Sequence, residues 1–316
     1  MTLDVVTVGD SFVDIVVPIP RFLRGNEDSV LGSTTERHLG GSSNFLLTAS
    51  RLGLKTGVMD CLGDDDLGKF YRDALSFEGV DVSRLLVKED APTSHCMVLL
   101  TRKGKHAYIA YPGASSLLTP DEVDEAYIRG SRALYSSGYA LTNSPIREAA
   151  LKVSKVASRG DIPIFFDPSP VISRIPREAI RAMISSSKYL LLNEREIRLI
   201  TGKHDIKEAA IQLLDSGPEA IVVKRGEEGC SVHTGSGIEN IRGFRVCVVD
   251  TTGAGDAFNA AFVYGRLRGW TLRESAVLAN AVGAIKVTKL GAGRQVPTRD
   301  EVSRFLEENG VGLRLG

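Results

Sequence analysis

The 316-residue sequence has little cysteine and no surplus of charge of either sign. Its four cysteines, Cys61, Cys96, Cys230 and Cys247, are dispersed, and none forms a C-x-x-C pair. That spacing argues against a zinc ribbon or a thioredoxin-type site. The five histidines include no H-E-x-x-H, so a zincin has no support either. Lys and Arg number 39, as do Asp and Glu, and the formal net charge is zero. A neutral chain offers no global field to draw in nucleic acid or an anionic membrane, and neither is an expected partner. No apolar run reaches the ~20 residues of a membrane-spanning helix. The first residues carry Asp4 where a signal peptide would have a basic region. The expected compartment is the reducing cytoplasm.

Apolar residues make up 43% of the chain and charged residues 25%, which suits a folded α/β protein and not a disordered one. The length fits one large domain or two small ones. Short continuous apolar runs recur at Val5–Val8, Ile162–Phe166, Tyr189–Leu192 and Ala220–Val223, as buried parallel strands require. Helical patterns lie between them, at 44–52, 68–77, 144–158, 257–267 and 272–289. The cleanest places Ile206, Ala209, Ala210, Leu213 and Leu214 on one face before Gly217-Pro218. Strand–helix alternation implies a mostly parallel sheet covered on both faces. Two segments break the rhythm. Phe12–Pro18 continues past the first strand without a helix, and Thr93–Tyr111 reads as a hairpin turning at Arg102–Lys105. Both are expected in a small β-sheet that serves as a lid.

The densest chemical signal is Asp250-Thr-Thr-Gly-Ala-Gly-Asp256, which follows the apolar run Val246–Val249 and opens a helix. Small residues there leave backbone N–H groups convergent on an anion, aided by the helix dipole. Asp256 alone would read as an N-terminal cap. Beside two glycines it also suits phosphoryl transfer to a hydroxyl, with amides stabilising the phosphoryl oxygens and the carboxylate taking the proton. Gly63–Phe70 superficially fits a P-loop. Phe70 replaces the magnesium-binding hydroxyl, however, and Asp64–Asp66 reads as a turn and helix start. The Gly253 loop lacks the third glycine of a dinucleotide fingerprint.

The Asp250–Asp256 segment resembles the C-terminal signature of the ribokinase-like (phosphofructokinase B-type) carbohydrate kinases. Gly40-Gly41-Ser42-Ser43-Asn44, with Arg51-Leu52-Gly53, resembles their N-terminal glycine signature. Gly63-Asp64-Asp65, Tyr111-Pro112-Gly113, Asp167-Pro168, Asn193–Glu196 and Lys224–Gly229 fall between in the matching order. The resemblance implies a three-layer α/β/α fold with a small β-sheet lid, one kinase domain over residues 1–316, and lid segments near 12–38 and 93–113. It implies ATP and Mg2+, with Asp256 as base and Gly253, Ala254 and Gly255 as anion hole. Asn193 and Glu196 correspond to a motif that organises magnesium, largely through water. A capping pair on the following helix accounts for the same two residues. Lys224, Gly226 and Gly229 match a loop along the nucleotide, and Asn280 a position near its base. Asp250 and the 291–294 loop match elements that hold a monovalent cation such as K+ in several members.

Asp14, Gly41 and Asn44 correspond to acceptor contacts, and a carboxylate can accept two hydrogen bonds from a diol. The sequence departs from ribokinases in places. Phe12 stands for an Asn, Ser42 for a Lys, and Ser169-Pro170 follows Asp167-Pro168 in place of Asn-x-Arg, which weakens any role for that strand end. The implied reaction is transfer of the γ-phosphoryl group of ATP to a primary hydroxyl of a sugar or sugar-like alcohol, of ribose, fructose or 2-keto-3-deoxygluconate type. A nucleoside kinase, with Phe12 against the base, and a sugar-phosphate kinase are alternatives. A catalytically silent sugar-binding regulator is a third reading from another class. The lid is expected to mediate a homodimer.

Overall fold

The computed structural model describes residues 2–25, 27–101 and 105–316. The chain opens with β1 (Val5–Val8), buried on both faces, and runs into β2 (Ser11–Ile19) and then β3 (Glu36–Gly41). Next come α1 (Ser43–Arg51), β4 (Thr56–Gly63), α2 (Asp66–Phe77) and β5 (Asp81–Lys88). The hairpin strands are β6 (His95–Thr101) and β7 (His106–Tyr111). The alternating part continues as α3 (Glu125–Arg129), β8 (Leu134–Ser137), α4 (Ile146–Arg159), β9 (Ile164–Asp167), α5 (Arg177–Ser186), β10 (Tyr189–Asn193), α6 (Glu194–Thr201), α7 (Ile206–Leu214) and β11 (Ala220–Lys224). It closes with β12 (Cys230–Thr234), β13 (Gly237–Ile241), α8 (Ala254–Leu267), α9 (Leu272–Val287) and α10 (Arg299–Glu308).

The large sheet has the order β13-β12-β11-β10-β9-β8-β1-β4-β5. It is parallel from β11 to β5, and β12 and β13 are added antiparallel. One core layer packs α1, α2, α8, α9 and α10 on one face, around Phe45, Tyr71, Phe262 and Leu278. The other packs α3, α4, α5 and α7 on the opposite face, around Ile128, Val153, Met183 and Leu213. Truncating the fully buried Phe262 to Ala would cost ~3–5 kcal/mol. This is the three-layer arrangement that strand–helix alternation implied.

The small sheet has the order β3-β2-β6-β7, with β2 parallel to β6 and antiparallel to β3. Residues 12–38 and 93–113 therefore do join, although β3 runs on to Gly41. Gly40 and Gly41 thus end a strand rather than forming a free loop. Of the expected turn at Arg102–Lys105, residues 102–104 lie outside the described residues. The expected strand at Val246–Val249 is not formed, and Val248 and Val249 are 60% and 56% exposed. The large sheet already ends at β13, and the Val249 and Asp250 amides donate to Val287 O instead, at 2.7 and 3.1 Å. The last helix pair also shifts: α8 starts at Ala254, three residues before the apolar pattern began, because the signature residues themselves are helical.

Candidate active site

The parallel strands place polar residues at their carboxyl ends. Ser137, Asp167, Asn193 and Lys224 are the last residues of β8, β9, β10 and β11, and Asp10 lies just beyond β1. The strand order reverses between β1 and β8, the place where open α/β sheets form a binding crevice.

At the ends of β9 and β11, Lys224 Nζ lies 2.8 Å from Asp167 Oδ2 and 3.3 Å from Asn259 Oδ1. Asn259 Nδ2 in turn donates to the same Asp167 oxygen at 2.5 Å. Burial disfavours the Lys224 charge, but Asp167 and Glu196 outweigh it and raise its proton affinity. Beside it, Asn193 caps α6. Its Oδ1 accepts from Glu196 N–H at 2.9 Å, while Glu196 accepts from Asn193 N–H at 2.8 Å and from Nδ2 at 2.7 Å. The capping geometry is therefore present, with both carboxylate oxygens engaged. Burial, then Asp167, raise the Glu196 pKa, against the offset of Lys224. A cleft of about 310 Å³ opens here, lined by Asn193, Glu194, Arg195, Lys224, Arg225 and Glu228.

Gly253 adopts φ +74°, a left-handed conformation that favours glycine, and sits at the N-cap of α8. Asp256 is therefore not the cap but a first-turn residue. The Ala254 amide already donates to Thr251 O at 3.2 Å. The amides of Gly255 and Asp256 have no carbonyl within the helix and are the open donors. A Cβ on Gly255 would lie 3.7 Å from Lys224 Nζ, so the ammonium borders this turn. Burial, then the Asp167 charge, push the Asp256 carboxyl up to about 7, while Lys224 and a hydrogen bond with Asn44 oppose the rise.

Across the crevice, burial alone pushes Asp14 on β2 up to about 7. Asp10 is buried at φ +65°, and burial followed by the charges of Asp256 and Asp60 raises its pKa well above the usual carboxylate range. Hydrogen bonding by Ser137 opposes that rise across the switch point. Gly41 is fixed by steric need, since its φ is +59° and an added Cβ would sit 2.0 Å from Asp10 O. Asn44 Oδ1 accepts from Gly293 N–H at 2.7 Å, and its Nδ2 lies 3.5 Å from Gly41 O. Tyr108, on β7, feels Thr252 and the charges of Asp14 and Asp250, which places it over the signature loop.

A sequence profile of pfkB family carbohydrate kinases matches residues 2–299. The chain belongs to the PfkB family of carbohydrate kinases. It is 30% identical over 328 residues to the 5-dehydro-2-deoxygluconokinase of Halalkalibacterium halodurans, covering 97% of this chain and 95% of that one. Ribokinase from Thermotoga maritima superposes with a TM-score of 0.86 at 27% identity, covering 96% and 99% of the two chains. Arabidopsis thaliana ribokinase complexed with ribose and ATP gives 0.84 at 25% identity, covering 97% and 99%.

The structure of this PfkB member gathers most of the residues read from sequence. Asp256, Gly253–Gly255, Asn44, Lys224, Asn193 and Glu196 surround one crevice, with Asp14 facing it from the small sheet. Asn280 lies apart from that group. Its Nδ2 donates to Ile241 O and Arg242 O at 3.3 and 3.2 Å, tying α9 to the end of β13. Gly229, at φ +95°, packs so closely that a Cβ would be 2.2 Å from Ile241 O, whereas Gly226 has open space around it. Asp250 binds Thr252 N–H and O–H at 3.0 and 2.8 Å and Gly291 N–H at 2.8 Å. Burial works against its charge, yet these donors hold its pKa below the usual value.

Three residues escaped the sequence reading. Asp167 was discounted for its unusual followers, yet it anchors Lys224 and Asn259. A carboxylate ending a buried strand at the sheet's carboxyl edge was the available signal. Asn259 stands three residues after Asp256 on one helix face. Asp10 follows β1 directly, four residues before Asp14.

Proposed function

We propose that this PfkB-family chain transfers the γ-phosphoryl group of ATP to a primary hydroxyl of a sugar or sugar-like alcohol of ribose, fructose or 2-keto-3-deoxygluconate type. The observation that carries the reading is Asp256, raised to about 7, one residue after the open amide of Gly255 and beside Lys224. A base with a pKa near the working pH is suited to taking a hydroxyl proton. In this reading Asp256 accepts that proton. The amides of Gly255 and Asp256, with Lys224, stabilise the charge on the transferring oxygens. Asp14 orients the acceptor by accepting its hydroxyl hydrogens.

The residues present fit Mg2+ held mainly by phosphate and water. Among the described residues no cluster of three or more His, Cys, Asp or Glu could cage a metal, and Glu196 spends both oxygens on Asn193. When bound, the ion would neutralise phosphate charge, and Asn193 and Glu196 would hold it through water.

Asp10, Asp14 and Asp256 feel one another's charge. An acceptor carrying a phosphate dianion would add like charge among them. This disfavours a hexose phosphate. The small sheet serves as the lid of a single kinase domain, residues 1–316, and excludes water over the acceptor. Its far face carries Met97, Ile109 and Tyr111, 41%, 61% and 47% exposed, with Met97 paired to Ile109 and to Ile15. That apolar row supports a homodimer through the lid. No described helix is long and apolar enough to cross a membrane, and the free cysteines suit a cytoplasmic enzyme.

ADP release measured against ribose, fructose, nucleosides, 2-keto-3-deoxygluconate and hexose phosphates tests the reading. Turnover with ribose, fructose or 2-keto-3-deoxygluconate is expected. Preference for a hexose phosphate would overturn the acceptor class. Sugar binding without ADP release from any acceptor would favour the silent regulator. Sedimentation of the wild type and of Ile109→Asp tests the dimer, and a monomeric wild type would refute it.

A further inference from the structure

The resemblance implied a monovalent cation at Asp250 and the 291–294 loop, where most of the oxygens already accept hydrogen bonds. Both Asp250 oxygens are already taken, by Thr252 and Gly291. Three carbonyls of the loop also accept hydrogen bonds. Ala292 O accepts from Gln295 N–H at 3.4 Å, and Gly293 O from Val296 N–H at 3.2 Å. Arg294 O accepts from the Arg51 guanidinium at 3.0 Å, and so does Val296 O at 2.7 Å. Thr251 O accepts from Ala254 N–H. A further cation there would have to share acceptors already committed to donors.

The same region holds a positive charge of its own. Lys286 is fully buried in the last turn of α9, and its Nζ has no hydrogen-bond partner among the described residues. The neighbouring residue Val287 receives the Asp250 amide, so Lys286 stands next to the backbone of the signature loop. The C-terminal end of a helix favours a cation. A buried ammonium with no bonded acceptor is costly unless nearby negative charge compensates it. Burial lowers its proton affinity below that of an ordinary lysine, and the charge of Lys289, itself paired with Glu301, adds to this, while Asp250 and Asp256 oppose the fall.

We propose that the Lys286 ammonium, buried beside the loop in which both Asp250 carboxylate oxygens are hydrogen-bonded, is the resident cation of this region and makes the chain independent of monovalent metal ions. Lys286 acts here as a positioning residue. Its charge holds the Asp250–Gly255 loop, and through it the open amides of α8, in place.

Two measurements test this, and only one rests on the kinase reading. The first follows thermal unfolding of the wild type, with and without an ATP analogue, in potassium chloride and in tetramethylammonium chloride at equal ionic strength. The midpoints are expected to coincide. A specific rise in potassium of several degrees would reveal an ion bound to the native state and overturn the proposal. The second measures turnover under the same salts. The wild type should change by less than about twofold. Lys286→Ala should lose about tenfold or more and recover part of it on adding potassium or ammonium, a rescue that a merely structural role would not give. Wild-type activation by potassium of about fivefold or more, or an unimpaired Lys286→Ala enzyme, would refute it. If Lys286→Ala does not fold, the wild-type arms still decide. If no acceptor is turned over, the kinase reading fails while the melting comparison still stands.

Discussion

The polar groups at the ends of β9, β10 and β11 include an ion pair and a full capping box, whereas the carboxylates around the end of β1 have no cation bonded to them. Asp167, Lys224 and Asn259 form one bonded set, and Asn193 with Glu196 another. Asp10, by contrast, is a carboxylate crowded by burial and like charge and Asp14 one crowded by burial, and Asp256 faces them from α8. One side of the crevice is finished before any ligand arrives. The other holds groups whose protonation is unfavourable to remove until a partner with donors is present. The difference suits a site whose first half holds a fixed anion and whose second half must still act on a proton.

The sharpest way to break this comparison is to neutralise the reacting carboxylate. Asp256→Asn should lower turnover by about 10²–10⁴-fold while sugar and nucleotide affinities, measured by calorimetry, stay close to the wild type. Turnover near the wild-type level would mean that the unpaired half does not supply the base. Next in size is Gly41→Ala, whose Cβ would press on the Asp10 backbone at 2.0 Å. It should cost ~2 kcal/mol or more in denaturant unfolding, together with most of the activity. A stable, active variant would show that Asp10 has room to move.

The pH dependence is a gentler probe. Because Asp256 must be ionised to act and its carboxyl sits at about 7, kcat/KM should fall about tenfold per pH unit below that value and level off above it. A flat profile down to pH 5 would remove the raised base. Stability should run the other way. The native carboxyl holds its proton up to about 7, against an ordinary 3.8 for aspartate, so the native state binds more protons in that window. Stability therefore falls as pH rises through it. Asp256→Asn should thus raise the melting midpoint at pH 8 and leave it nearly unchanged at pH 4. The smallest effect is expected in the paired half, where Asn193→Ala removes a cap worth ~1 kcal/mol. A KM for ATP that rises with no loss of stability would show that the cap is secondary to the nucleotide.

Much of the site was legible because its residues lie in one short, ordered stretch. Asp250–Asp256 carries the base and the tight turn together, and Asn193 with Glu196 announces itself by helix-capping spacing. The parallel strands were visible where they are wholly apolar, as in β1, β10 and β11. β4 was harder, because Thr56, Gly57 and Asp60 interrupt its apolar character although every residue in it is buried. Val246–Val249 misled for the opposite reason. It is apolar, but β13 had already ended the sheet, so α9 took its amides. Asp167 and Asn259 were hidden because their meaning is a contact across 92 residues, which no local spacing encodes. Lys286 reads in sequence as an ordinary helix-end lysine, and only packing buries it.

The bond from Gly293 N–H to Asn44 Oδ1 spans 249 residues. The Arg51 guanidinium makes similar long reaches to Arg294 O and Val296 O. Seen in time rather than space, the helix carrying Asn44 waits for a loop made 249 residues later. A chain arrested on the ribosome before that loop emerges could fold most of the parallel sheet and still lack the amide that steadies Asn44 beside the base. Catalytic competence would then switch on only once that loop has emerged, since contacts so distant in sequence are among the slowest to close.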